Sequence, residues 1–241
     1  MTDYRNSHSS HGYGESYETA YGPDTFYGQL WEQVESPLLR ATLSELHSAG
    51  TRSCLDFACG TGRILSVVED VFDDTTGVDV SESMLEQASH KLRSSELLCA
   101  DITKNPLDRK FDCATSFRFF RNAQPALRKQ AVDALAAHVK PGGKLVVNTH
   151  GNPAAPAIAL LKAKSRLSDI QANSLSAEEL SDLLTAGGFR VEATIPYSYL
   201  PRFGNFFPEW YATLLTPAER LRDVPLLKSM SESTILVAER R

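Results

Sequence analysis

The stretch LDFACGTG, residues 55–62, sets two glycines between an apolar, strand-like run and the helical pattern RILSVVEDV at 63–71. Glycine at a strand-to-helix turn reaches backbone conformations closed to other residues and lets a ligand approach the main chain. The first amides of the helix beyond favour an anionic group. Alone, Gly-Thr-Gly also suits an ordinary tight turn, so its meaning depends on its surroundings. TTGVDV (75–80) reads as a second strand with Asp79 near its end. A carboxylate at that tip can accept hydrogen bonds from two ribose hydroxyls. ELLCADI (96–102) reads as a third strand and places Asp101 on the same edge. Ligands of doubly wound sheets bind along the carboxyl ends of the strands. Glycine, aspartate and aspartate on three successive tips therefore describe a binding rim.

The alternation extends in both directions. SCLDFA (53–58), FDCATSF (111–117), KLVVNTH (144–150), FRVEATIPYSYL (189–200) and STILVAERR (233–241) complete a set of short, apolar, β-branched strands. Between them, Met84, Leu85, Ala88 and Leu92 follow a Ser81 or Ser83 cap. Leu127, Ala131, Leu135 and Val139 recur at helical period until PGG at 141–143, and Ser176 caps SAEELSDLLTAGGF. This pattern predicts a Rossmann-like, doubly wound α/β fold. Its sheet is mostly parallel and seven-stranded, ends in an antiparallel hairpin, and carries helical lid insertions. Upstream, one helical pattern carries Phe26, Leu30 and Val34. A second starts at Ser36 with Pro37 in its first turn and buries Leu38, Leu39, Leu43 and Leu46 before Gly50. The expected organisation is an N-terminal tail and lid helices (1–50), a core (51–197 and 233–241), and an insertion forming a substrate cap (198–232).

The 241 residues carry a net charge of −5, which gives no strong pull toward nucleic-acid backbones or anionic membranes. No apolar run reaches the ~20 residues of a membrane-spanning helix, and the N-terminus lacks a signal-peptide core. A cytoplasmic location is expected. Cys54, Cys59, Cys99 and Cys113 have no metal-ligand spacing and read as buried free thiols, with no metal site.

With these residues in view, the chain resembles the class I S-adenosylmethionine-dependent methyltransferases. LDFACGTGR resembles their glycine-rich first motif, GVDVSESMLEQA the acidic second-strand motif, and CADI the adenine-side motif. FDCATSFRFFRN, VKPGGKLVVNTHG and EELSDLLTAGGFRV resemble later segments of the same series. Ala58 departs from the family at the first of three glycine positions. The resemblance implies S-adenosyl-L-methionine as cofactor. It implies that Asp56, Ala58, Gly60 and Gly62 cradle the methionine part and that Asp79 holds the ribose. Val80 and Met84 would flank the adenine, and Asp101 and Ile102 would read it. Ser116 and Phe117 would close the pocket near the sulfonium. A dinucleotide is disfavoured because Leu65 stands where that motif needs a third small residue.

Methyl transfer from a sulfonium mainly requires alignment and exclusion of water. A base is needed only where the acceptor must lose a proton. His150, ending the fifth strand, is a candidate general base or a rim histidine held for packing. Arg118 and Arg121 fit an anionic substrate, the cofactor carboxylate or ion pairs with acidic neighbours. Phe203, Phe207, Trp210 and Tyr211 fit a substrate wall, a satellite apolar cluster or a dimer contact, and Tyr17 and Tyr21 fit a lid over the cofactor and substrate or the packing of an N-terminal helix on the domain. No Asn/Asp-Pro-Pro-Tyr/Phe sequence follows the fourth strand, which argues against methylation of a base amine. The expected function is methyl transfer to a small molecule, a sugar or natural-product scaffold, with oxygen as first acceptor and nitrogen as second. The alternatives are RNA or protein methylation and a non-catalytic binding protein, and a homodimer is compatible with any of these.

Overall fold

The computed structural model describes Tyr4, Thr19, Gly22, Ile158 and residues 24–155, 175–200 and 209–241. Seven strands form one sheet: β1 (Ser53–Phe57), β2 (Asp74–Asp79), β3 (Glu96–Cys99), β4 (Phe111–Ser116), β5 (Val139–His150), β6 (Phe189–Tyr197) and β7 (Ser233–Arg240). Their order is β3-β2-β1-β4-β5-β7-β6. Pairs among β1 to β5 are parallel, and β7 runs antiparallel between β5 and β6. The order reverses between β1 and β4, the switch point where open α/β sheets bind ligands.

The helices are α1 (Phe26–Leu30), α2 (Ser36–Ser48), α3 (Arg63–Glu69), α4 (Glu82–Ser89), α5 (Pro125–His138), α6 (Ala177–Ala186) and α7 (Glu209–Ala218). Strand periodicity sorts the core into two layers. Leu55, Phe57, Leu145 and Val147 pack against Leu127, Leu135, Leu180 and Leu184 of α5 and α6. Cys54 and Val146, one residue out of phase, meet Leu39 and Leu43 of α2 and Leu65 and Val68 of α3. Leu65 is fully buried because Gly77 of β2 leaves room for it: a Cβ on Gly77 would lie 2.4 Å from Leu65 Cδ2. The small residue needed for close helix–strand packing sits on the strand rather than on the helix.

Four expectations change. Ser36 caps no helix: α1 runs into α2 through a π-helical turn, Trp31–Glu35, and Ser36 N–H bonds Trp31 O. Proline at position 37 lacks an N–H and crowds the carbonyl four residues back. A widened turn ahead of it relieves that conflict without breaking the helix. Helix α5 stops at His138, with Val139 already extended (φ −91°, ψ 132°), so the proline and glycines at 141–143 lie within β5. Strand β3 ends at Cys99 and leaves Asp101 in the following turn. Cys99 is exposed, while Cys54, Cys59 and Cys113 are buried free thiols. Ser176 does cap α6 as predicted, and it does so through a capping box with Glu179. None of the described helices is long and apolar enough to cross a membrane.

Candidate active site

Three residues of the β1–α3 loop adopt left-handed backbone: Ala58 (φ 56°), Gly60 (φ 55°) and Gly62 (φ 77°). A Cβ on Gly62 would press on Ala88 Cβ at 3.0 Å and Leu92 Cδ1 at 3.2 Å, so this glycine seats the loop against α4. Cys59 N donates to Val78 O at 3.0 Å, and Gly60 N donates to Asp79 Oδ2 at 2.9 Å. Asp79 Oδ1 accepts from Ser81 N at 2.9 Å. The carboxylate at the β2 tip therefore fixes the glycine loop on one side and the start of α4 on the other.

Asp56, in β1, is buried. Its Oδ1 accepts from the Thr115 hydroxyl at 2.7 Å, and its Oδ2 has no hydrogen-bond partner among the described residues. Burial pushes this carboxyl up to about 7, against the Thr115 bond and with the help of the Asp79 charge. Met84 and Ile102 are buried, whereas Val80 is 38% exposed at the rim, a surface open to a flat apolar group. Asp101 accepts from Thr103 N at 3.1 Å and lies 3.1 Å from Lys104 Nζ.

Beyond β4, Ser116 and Phe117 are buried, and Ser116 Oγ has no partner among the described residues. Arg118 takes a left-handed conformation (φ 61°) and donates from Nη2 to Glu35 Oε2 at 2.9 Å. Its amide donates to Asn148 Oδ1 at 2.7 Å. Glu35, fully buried in the π turn, also accepts from Tyr197 OH at 2.6 Å and Asn148 Nδ2 at 3.2 Å. Burial alone would raise the Glu35 carboxyl. The nearby Arg118 and Arg63 charges and the Tyr197 and Arg118 hydrogen bonds outweigh it, so the carboxyl lies below its ordinary value. The ion-pair reading of Arg118 is thus the one the geometry displays. The sequence analysis missed Glu35, Asn148 and Tyr197. A signal existed for Glu35, which stands four residues after Trp31 and four before Leu39, on the stripe that faces the core.

His150 ends β5, and its Nδ1 has no hydrogen-bond partner among the described residues. Burial and the charges of Arg118 and Arg121 hold its imidazole well below the ordinary range, so the ring is neutral at pH 7. The Arg121 guanidinium lies over Gly151, where a Cβ would fall 2.7 Å from Arg121 Cζ. Tyr211 is buried against Phe26, with ring centroids 6.5 Å apart, while Trp210 is 64% exposed. Tyr17, Tyr21, Phe203 and Phe207 lie outside the described residues.

Residues 54–143, which span the loop and the first four tips, match the family model described as a methyltransferase domain. The matched segment is that of a methyltransferase domain. Among curated proteins, the chain is similar to dTDP-3-amino-3,4,6-trideoxy-alpha-D-glucopyranose N,N-dimethyltransferase of Streptomyces venezuelae. That match has 35% identity and covers 39% of this chain and 41% of the relative. It is also similar to malonyl-[acyl-carrier protein] O-methyltransferase of Pseudescherichia vulneris, at 33% identity over 64% of this chain and 59% of the relative. The chain thus spans about two fifths to three fifths of the length of these curated methyltransferases. Among solved structures, magnesium protoporphyrin IX methyltransferase from Synechocystis, with bound S-adenosylhomocysteine, superimposes with a TM-score of 0.65. Identity is 16%, and coverage is 98% of this chain and 97% of that one. At that identity the likeness concerns the fold alone.

Proposed function

We propose that the chain transfers a methyl group from S-adenosylmethionine to a small-molecule acceptor. The observation that carries this reading is the Gly60–Asp79 bond, which joins a left-handed glycine loop to a carboxylate at the neighbouring tip. The residues present fit the cofactor. Asp56 Oδ2 offers an uncommitted buried acceptor, and the left-handed loop brings main-chain atoms to the rim. Asp79 would hold the ribose, Val80, Met84 and Ile102 the faces of the adenine, and Asp101 its amine. Ser116 and Phe117 would border the sulfonium. When bound, S-adenosylmethionine supplies a methyl group already activated for displacement.

Oxygen is the first acceptor. His150 is neutral at pH 7 and free to accept a proton, but the burial and arginine charges that keep it neutral also make it a weak base. Arg118 and Arg121 beside it favour negative charge on an acceptor oxygen and disfavour a protonated amine. Nitrogen is the second reading, favoured by the similarity to the amino-sugar N,N-dimethyltransferase. A sugar or natural-product scaffold suits both. Residues 198–232, with Trp210 and Tyr211, form the substrate cap in this account, and residues 1–50 supply a lid.

The test is transfer of labelled methyl from S-adenosylmethionine to matched acceptors carrying a carboxyl, hydroxyl or amino group. Label on the oxygen acceptors, with S-adenosylhomocysteine formed in equal amount, is the expected result. Label on the amine alone would shift the reading to nitrogen, and no transfer to any small acceptor would count against it.

A further inference from the structure

At the carboxyl ends of β4 and β5, Arg118, Arg121 and His150 form a cationic corner. The two arginines follow β4, and His150 ends β5. Arg118 is held from two sides: its guanidinium carbon lies 5.4 Å from the centre of the Tyr27 ring, and its Nη2 bonds Glu35 at 2.9 Å. Arg121 is half-buried over Gly151, whose left-handed backbone (φ 71°) leaves space that a Cβ would fill. Arg121 senses the carboxylate of Glu232 as well as the charge of Arg118. At the His150 ring the charges that act are those of Arg118 and Arg121, and both are positive. Glu35 and Glu232 thus hold the arginines without cancelling their field at the ring. On the same rim two polar atoms, His150 Nδ1 and Ser116 Oγ, are shut away from solvent with no hydrogen-bond partner among the described residues. Each can donate a hydrogen bond, His150 in the tautomer protonated at Nδ1, and a buried polar group in that state is costly until a partner arrives.

Three classes of acceptor meet this corner differently. A protonated amine is repelled by both arginines and by a sulfonium bound at the rim. A hydroxyl must lose its proton to attack, and His150 is a weak base for the same reason that it is neutral. A carboxyl titrates near 4, so at neutral pH it arrives as a nucleophile that needs no base. Resting on the methyl-transfer reading above, we propose that the acceptor is a carboxylate, seated by Arg121 and His150 within the field of Arg118, and that the product is its methyl ester. One carboxylate oxygen attacks the methyl carbon, the carbon–sulfur bond breaks, and its electron pair stays on sulfur. A negative acceptor and a positive sulfonium become a neutral ester and a neutral thioether, and no proton is released. His150 then holds a proton toward the acceptor instead of taking one from it. The scaffold in this account is a sugar acid or another natural product that bears a carboxyl group.

Mild alkali separates the classes, because it frees the methyl of an ester as methanol and leaves ethers and N-methyl groups intact. The acceptors offered are glucuronate, glucose and glucosamine, then phenylacetate, phenylethanol and phenylethylamine, and the small-molecule fraction of a bacterial extract. With tritiated S-adenosylmethionine, label is expected in alkali-labile form, on the acids of these sets or of the extract. No proton should appear per turnover in weakly buffered solution. Arg121→Met should raise KM for the labelled acid by about 10- to 100-fold with a smaller change in kcat, and Arg121→Lys should recover part of the loss. Calorimetry should find S-adenosylhomocysteine binding to Arg121→Met within about 2-fold of wild type, which also reports that the variant is folded. Label that survives alkali, a proton released for each methyl transferred, an unchanged KM in Arg121→Met, or equal loss of acid and S-adenosylhomocysteine would overturn the carboxylate assignment and leave methyl transfer standing. Absence of labelled product from every acceptor would overturn the methyl-transfer reading itself, a result distinct from the other four.

Discussion

Residue-level strain marks the site. Ala58 holds a left-handed backbone, φ 56°, where the family pattern has glycine. A side chain there costs about 1–2 kcal/mol, partly offset by the greater freedom glycine would have in the unfolded chain. Ala58→Gly should therefore raise unfolding stability by up to about 1 kcal/mol, read from denaturant midpoints, and leave the loop geometry intact. The substitution is mild in volume and does not alter which atoms face the rim, which is why the alanine can persist. Glu35 stands at the other extreme. Its carboxylate is fully buried and holds Arg118, Tyr197 and Asn148 together. Glu35→Ala should cost about 3–5 kcal/mol, because the largely buried Arg118 would lose its carboxylate partner. Tyr197→Phe removes one donor from the same group and should cost about 1–3 kcal/mol. Thermal or urea unfolding separates the two, and equal losses would show that the ion pair contributes little beyond packing.

At the scale of elements, packing rather than propensity fixes the geometry around the site. Gly77 of β2 makes room for Leu65 of α3, and through it sets how close α3 stands to the sheet. Gly77→Val should overpack this contact, lowering stability by about 1–3 kcal/mol and weakening cofactor binding as α3 is pushed outward. Denaturation and calorimetry on one variant would check both parts. Much of this architecture was legible in the sequence. The apolar runs at 53–58, 75–80 and 144–150 carry a strand signal that survives in β1, β2 and β5, and the Ser176 cap is written in a four-residue pattern. The seven-stranded, mostly parallel sheet with its terminal antiparallel hairpin followed from the strand–helix alternation and the family resemblance together, whereas the strand order is read from the fold. What was not legible depends on contacts across the fold. The serine–proline pair at 36 and 37 looks like a helix start, yet a π turn carries the helix across it. Val139 shares the helical stripe of α5, yet its backbone is extended, since pairing with Phe111 draws it into the sheet. The Glu35 network joins residues separated by 83, 113 and 162 positions, beyond the reach of any local pattern.

For the whole molecule, pH reads out how the site departs from a structural optimum. Asp56 and Glu219 are both pushed up to about 7, chiefly by burial. Unfolded carboxyls titrate near 4. Their contribution is therefore fully present below about pH 4 and is lost as pH rises through 7. Asp112, held at about 2 by Lys140, Arg52 and Ser53 despite burial, acts in the opposite sense. Its contribution is present above about pH 4 and disappears as pH falls toward 2. His150, lowered by burial and its arginine neighbours, loses its contribution as pH falls below about 6.5 and offsets part of the first effect. The ligand-free protein should thus be more stable at pH 5 than at pH 7.5, and Asp56→Asn should flatten that difference in urea titrations. The claim on which all of this turns is that the tips of β1, β2 and β3 hold an adenosyl cofactor. Its most direct test is calorimetric titration of S-adenosylhomocysteine into wild-type and Asp79→Ala protein. Saturable binding by the wild type with at least about 10-fold loss in the variant is predicted, whereas equal affinities, or no binding at millimolar ligand, would contradict the account.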